Sequence, residues 1–506
     1  MDPPFQPQPG DSLQPAEDWR RLNARRRGHA FIAWIGIVAM CAFAILMQQI
    51  AANAVSADDE DDPLGVLFMQ MQARHVVASG DWLQGDRREA LYEQSEGLLN
   101  IGSVDQRQRF VILAGELAGV EEARRVLAEL EAELADPPRG DPPELSETQA
   151  DVQGLLQALY GPAASVDGPN QGSIRLTEDQ RELLIQRLGW FGRLALAPPE
   201  AQGQADRKSV LAPAYRVSIV LISALTLGLL VAFAGFLGLV VMGVLTLVGK
   251  VRSGLVAGAG AHGIYAETFA IWMILFFGLQ VVAELIASLP GMQDHHLIIG
   301  AGAFFVSLGV LVWPVVRGVP WRQVRLDIGW TFGRQPGLEP IFGVVGYAMT
   351  LPLFFLGVVV FFLFMFVQTA LAGPQPTFAP SGGPAHPVIF DLAHGQWWAT
   401  VQVLFLAVVA APIVEETMFR GVLYRHLRDA SARTGLVLSV LLSTLINTFV
   451  FAVIHPQGWV AMPALMALAC GFTLMREWRG TIVPSMIMHA VSNGLVMTFL
   501  ILLVAD

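Results

Sequence analysis

Cysteine is nearly missing. The 506 residues hold two, Cys41 and Cys470, both inside apolar runs. Two such residues build neither a disulfide framework nor a Cys-based zinc site. Lysine is almost absent as well, at positions 208 and 250 only, so nearly every basic residue is arginine. That preference reads as a compositional bias, of the kind a GC-rich bacterial genome imposes, and not as chemistry. Charge of either sign is scarce, at 15% of residues against 54% hydrophobic, which excludes an ordinary soluble protein. Weak alternating patterns, the mark of a β-barrel, are replaced by solid apolar runs. No H-E-x-x-H run occurs, so the compact helical zinc motif is missing too.

Several of the apolar runs reach the roughly 20 residues that cross a bilayer as a helix. The fold class is therefore all-α: a polytopic helical membrane protein with about nine transmembrane helices and a small helical extramembrane domain. Residues 1–28 are polar and Pro-rich and end in "WRRLNARRRGH", a disordered basic tail. The next run, 29–52, is too long for the apolar core of a signal peptide, although "AVSA" at 54–57 resembles a cleavage site. It reads as an uncleaved anchor. Eight further spans are expected at 216–248, 264–289, 297–316, 341–372, 397–424, 436–455, 459–475 and 482–504. They form a group at 214–372 and a C-terminal core at 395–504.

Residues 53–207 form the one large polar segment. Between 58 and 208 there are 28 acidic and 14 basic side chains, a surplus that argues against a nucleic-acid partner. Helical periodicity is plain in 120–135, with Val120, Ala123, Leu127, Leu130 and Leu134 on one side. A Thr-x-x-Gln capping box at Thr177 and Gln180 opens a second helix. The Pro- and Gly-rich stretch 136–175 reads as linker. Basic residues gather at 20–27, at Lys250 and Arg252, at Arg317, Arg322, Arg325 and Arg334, at Arg425, Arg428 and Arg433, and at Arg476 and Arg479. The loops 290–296, 373–396 and 456–458 have none. This alternation places the N-terminus and every basic loop in the cytoplasm and the acidic segment outside it.

Chemistry concentrates in the last third. "VEETMFRG" at 414–421 follows fourteen uncharged residues, 401–414, and ionisable groups at such depth are functional candidates by default. Glu416 and Arg420 are four apart and share a helix face, as an ion pair would, whereas Glu415 points about 100° away and is free to act as a base. "FVFAVIHP" supplies Phe451 and His455, and "HAVSNG" supplies His489 and Asn493, again four apart. The last two can donate to a developing oxyanion. Each grouping alone has a plainer reading: a structural ion pair, an interfacial histidine, polar glue between helices. Three groupings on successive apolar segments, in order, outweigh those readings.

E-E-x-x-x-R, F-x-x-x-H and H-x-x-x-N in that order resemble the signature of the CAAX prenyl protease and bacteriocin-processing family (the CPBP, or Abi, intramembrane proteases). The resemblance covers about 395–500 and leaves the upstream spans and the acidic segment unexplained. It implies an intramembrane endopeptidase in which Glu415 and His455 activate water, His489 and Asn493 stabilise the oxyanion, and Glu416 with Arg420 holds the helix. The family includes enzymes described as metalloproteases and others as metal-independent, glutamate-dependent proteases. Glu415, His455 and His489 also make the His₂Glu set that a catalytic zinc takes, so both modes stay open. The implied substrate is a membrane-anchored protein or peptide. The bacterial composition speaks against prenylated C-terminal peptides, the eukaryotic family substrate, and leaves signal-peptide remnants and peptide toxins. The competing classes are a non-catalytic scaffold or immunity protein, and a proton-coupled transporter. For the transporter an internal repeat is expected, and none is visible.

Four expectations concern geometry and secondary sites. At about 1.5 Å rise per residue, Glu415 lies roughly 27 Å from the outer end of span 397–424, and His455 roughly 28 Å from the inner end of span 436–455. Flush antiparallel helices would then hold them at different depths. Asp294, His295 and His296 form a polar turn with the residue types of a metal site, but a histidine pair in a loop is usually solvated, and that is the expectation here. Glu267 and Glu284 are expected at the interface. Trp397 and Trp398 fit an aromatic belt.

Overall fold

A computed structural model describes residues 27–58, 63–83, 85–161, 176–197, 205–255, 262–372, 377–378 and 397–504. The basic tail lies outside the described residues except for its last two. Among the described residues there is no strand, and the chain forms helices in this order: α1 (Arg27–Asp58), α2 (Pro63–Trp82), α3 (Asp86–Leu99), α4 (Val104–Ala118), α5 (Val120–Ala135), α6 (Glu147–Tyr160), α7 (Glu178–Leu188), α8 (Trp190–Ala195), α9 (Ala205–Leu247), α10 (His262–Ala287), α11 (Gln293–Val316), α12 (Trp321–Ile328), α13 (Glu339–Ala372), α14 (Trp397–Ala430), α15 (Leu436–Val453), α16 (Gly458–Arg479) and α17 (Val483–Val504). Nine of the described helices are long and apolar enough to cross a bilayer: α1, α9, α10, α11 and α13 to α17. They turn large apolar side chains outward, such as Leu229, Phe233 and Val241 on α9 and Val359 and Phe362 on α13. Surfaces of that kind belong in lipid. The polytopic all-α membrane class is thereby established.

The chain divides into two compact units. One comprises residues 50–227, 366–394 and 499–506. Its core is built around α4, whose Phe110, Val111, Ile112, Leu113 and Ala114 are all buried, so the helix is enclosed on every side. On α5, Ala123, Leu127 and Leu130 are buried, and Val120 and Leu134 pack against the same core, as the periodicity predicts. The capping box at Thr177 and Gln180 opens α7. Within the expected linker 136–175, residues 147–160 form a helix instead, and 162–175 lie outside the described residues. Ser146 and Gln149 make a second capping box, and α6 buries Val152, Leu155, Leu156 and Leu159. The flanking prolines and glycines obscured a three-to-four-residue apolar period. Thr377, from the long segment between α13 and α14, donates its backbone N–H to Arg139 O (3.1 Å) in this unit.

The other unit comprises residues 1–49, 228–365 and 395–498. Here α10 packs on α11 and α14, and α15 packs on α14 and α16. The core joins Ile37, Phe269, Trp272, Val414, Phe419, Phe451 and Ala469. Small residues let backbones approach. A Cβ on Gly421 would stand 2.9 Å from Ile328 O, where α12 meets α14. Glu267 is buried, and is paired with Arg317 (2.8 Å) and hydrogen-bonded by Trp313 (3.1 Å). Two arginines differ from expectation. Arg425 and Arg428 do not belong to a loop. α14 runs on to Ala430 and buries both, Arg425 against Asp429 (2.9 Å) and Arg428 against Glu477 (2.9 Å).

Candidate active site

The extra length of α14 removes the depth conflict. Counted from the short turn 431–435 that joins α14 to α15, Glu415 lies 15 residues, about 22 Å, back along one helix, and His455 lies 19 residues, about 28 Å, along the other. The two side chains meet: His455 Nε2 is 3.7 Å from Glu415 Oε2.

Two π-helical turns, Leu406–Ala410 and Thr417–Leu423, flank the glutamates on α14. Each turn frees a carbonyl. Ala411 N–H bonds back to Leu406 O, and the next residue, Pro412, has no N–H, so Ala407 O loses both intrahelical donors. Asn493 Nδ2 donates to it at 2.8 Å. In the second turn Tyr424 N–H bonds to Phe419 O, five residues back, and Arg420 O accepts from Arg476 Nε at 3.3 Å. Side chains from α17 and α16 thus fix the π-turns on either side of Glu415.

Glu416 and Arg420 are paired, as their spacing predicts, and both are completely enclosed. Arg420 Nη1 donates to Glu416 Oε1 (2.9 Å), and Nη2 to Ala469 O (3.3 Å). The guanidinium lies 4.5 Å from the Phe451 ring centroid and 5.3 Å from that of Phe472. Glu416 Oε1 also meets His489 Nδ1 at 2.9 Å. A carboxylate only accepts, so this nitrogen carries the proton, and His489 Nε2 faces Glu415 Oε2 at 4.0 Å. His455 Nδ1 likewise donates to Phe451 O (2.6 Å), which leaves its Nε2 directed at Glu415. Unlike Glu416, the Glu415 and His455 side chains keep some exposure, 14% and 18%. Glu415 Oε2 itself is buried and accepts no hydrogen bond from the described residues.

The structure therefore assembles Glu415, Glu416, Arg420, Phe451, His455 and His489 into one constellation. Asn493 is adjacent, with one amide N–H committed to Ala407 O. Glu415 meets His455 and His489 at 3.7 and 4.0 Å, but among the described residues no three His, Cys, Asp or Glu side chains group as metal ligands. Sequence reasoning missed Phe472, the Ala469 carbonyl, Arg476 and, on α1, Gln48. None of these stands in a spacing pattern with the motif residues. The polar turn at 294–296 has structural partners: Trp398 Nε1 donates to His295 Nδ1 (3.3 Å), and Gln402 Nε2 donates to Asp294 O (2.8 Å). Glu284 is exposed.

No curated protein and no solved structure matches the chain. Residues 396–495 match the Rce1-like family, described as type II CAAX prenyl endopeptidase Rce1-like. That segment spans α14 to most of α17 and holds all of Glu415, Glu416, Arg420, His455, His489 and Asn493. Through it residues 396–495 are similar to the Rce1-like branch of the CPBP family of membrane proteins, a branch typified by proteases.

Proposed function

We propose that this protein is an intramembrane endopeptidase that hydrolyses a peptide bond of a membrane-anchored protein or peptide. The observation that carries the reading is Glu415 Oε2. This buried carboxylate oxygen has no donor among the described residues and faces two imidazole Nε2 atoms at 3.7 and 4.0 Å. Those separations are too long for direct hydrogen bonds and suit a water held between the groups. Glu415 and neutral His455 both accept, so they orient such a water by its two protons.

The step balances as follows. Glu415 takes one water proton, and the resulting hydroxide attacks the peptide carbonyl carbon. The displaced C=O electron pair becomes an oxyanion. It accepts from His489 Nε2, when that nitrogen is protonated, and from the second N–H of Asn493. Collapse breaks the C–N bond, and the proton on Glu415 passes to the departing nitrogen. Glu416 and Arg420 hold the His489 ring from behind and stay out of the reaction. No step runs through a metal; were one bound, Glu415, His455 and His489 would hold it and it would activate the same water. The location proposed is a bacterial cytoplasmic membrane, with the N-terminus and the basic loops on the cytoplasmic side. The 53–207 segment is proposed as a separate extracytoplasmic domain.

The test is isotopic. The full chain, reconstituted in lipid and mixed with a detergent extract of membrane peptides in H₂¹⁸O, should create new C-termini that carry ¹⁸O. Glu415→Ala should create none. New termini formed equally by the variant would overturn the assignment.

A further inference from the structure

The family match begins at residue 396, yet a side chain from the other end of the chain reaches the site. Gln48 lies on α1, half-buried, and its Nε2 donates to Val453 O (3.0 Å) and His455 O (2.8 Å). α15 stops at Val453, and the last carbonyls of a helix have no N–H of their own to accept. A primary amide carries two N–H groups. Gln48 commits both to the turn that carries His455. The same face of α1 is docked along its length. Ile37 and Ala44 are buried, and Trp34 Nε1 donates to His426 Nε2 (2.9 Å) about four turns before Gln48.

We propose that Gln48 is a positioning residue for His455. It locks the carbonyls of the α15 terminus, so that Nδ1 stays on Phe451 O and Nε2 on Glu415. α1 then completes the active site even though it lies outside the family segment. The proposal rests on the protease reading for its effect on rate but not for its effect on the ring.

Two readouts separate the cases. The first is turnover of a membrane peptide whose cleavage distinguishes wild type from Glu415→Ala. The second is the nitrogen spectrum of the ¹⁵N-histidine-labelled full chain in nanodiscs, with His455 identified by the signal lost in His455→Gln. Gln48→Met keeps the size and removes both donors. It should lower turnover about 10- to 100-fold, the scale of a displaced catalytic group. It should also convert the single His455 tautomer into a mixture. Gln48→Lys restores N–H donors and should recover most of both losses, which a general packing defect would not allow. Trp34→Phe cuts the other anchor of α1 and should leave both readouts as in wild type. Unchanged His455 signals in Gln48→Met would overturn the proposal, whatever the rate does. If wild type and Glu415→Ala process peptides identically, the protease reading falls and the histidine signals alone decide the role of Gln48.

Discussion

Replacing Arg420 by methionine should cost more stability than any other single change at the site. Methionine fills much of the same volume but strips Glu416 of its charged partner at a point where neither side chain has any exposure. Breaking a buried pair from one side typically costs about 3–5 kcal/mol, because the surviving charge stays desolvated. The lost contact with the Phe451 ring adds to this, up to about 2 kcal/mol when desolvated. Part of that overlaps with the pair, and His489 Nδ1–H still reaches Glu416. The expected loss is therefore about 3–5 kcal/mol, a large share of a typical stability of about 5–15 kcal/mol. Equilibrium unfolding of the full chain in mixed micelles against rising SDS, followed by far-UV circular dichroism, measures it. The double variant Glu416→Gln/Arg420→Met removes both charges and should recover most of the loss. A single variant within about 1 kcal/mol of wild type would refute the reasoning, since that is the scale of an exposed pair. So would a double variant no more stable than the single one.

Other consequences follow from close contacts and from the proposed mechanism. Gly421→Ala places a methyl 2.9 Å from Ile328 O, a backbone atom that yields only if α12 moves. The expected destabilisation is about 1–3 kcal/mol in the same unfolding assay, and an unchanged midpoint would contradict the packing described. Because the proposed step uses Glu415 and His455 as the water-activating groups, prolonged treatment with phenanthroline should leave cleavage intact. Loss of activity restored by added zinc would contradict that outcome.

The legible part of this protein was its repetitive part. Apolar runs mark bilayer crossings by length alone, and the nine spans follow from that. Glu416 and Arg420 follow from helical spacing, and the order of the three motifs joins Glu415, His455 and His489 before any geometry is known. Span ends were not legible. The apolar signal stops near residue 424, while α14 continues to Ala430 by burying Arg425 and Arg428 in ion pairs, and hydropathy counts such residues as loop. The π-turns were invisible because they depend on partners far away in sequence, Asn493 for Ala407 O and Arg476 for Arg420 O. Gln48 was invisible for the same reason. A lone glutamine in an apolar span has no period and no motif, and its meaning lies in two carbonyls about 400 residues further on.

The central claim is that Glu415 makes this chain a protease. The most direct measurement compares protein termini in membranes from cells carrying wild type or Glu415→Ala at equal abundance. New termini should appear with wild type only, while the variant keeps the wild-type unfolding midpoint. Identical termini, with a cellular phenotype shared by both forms, would contradict the claim and leave the constellation a scaffold.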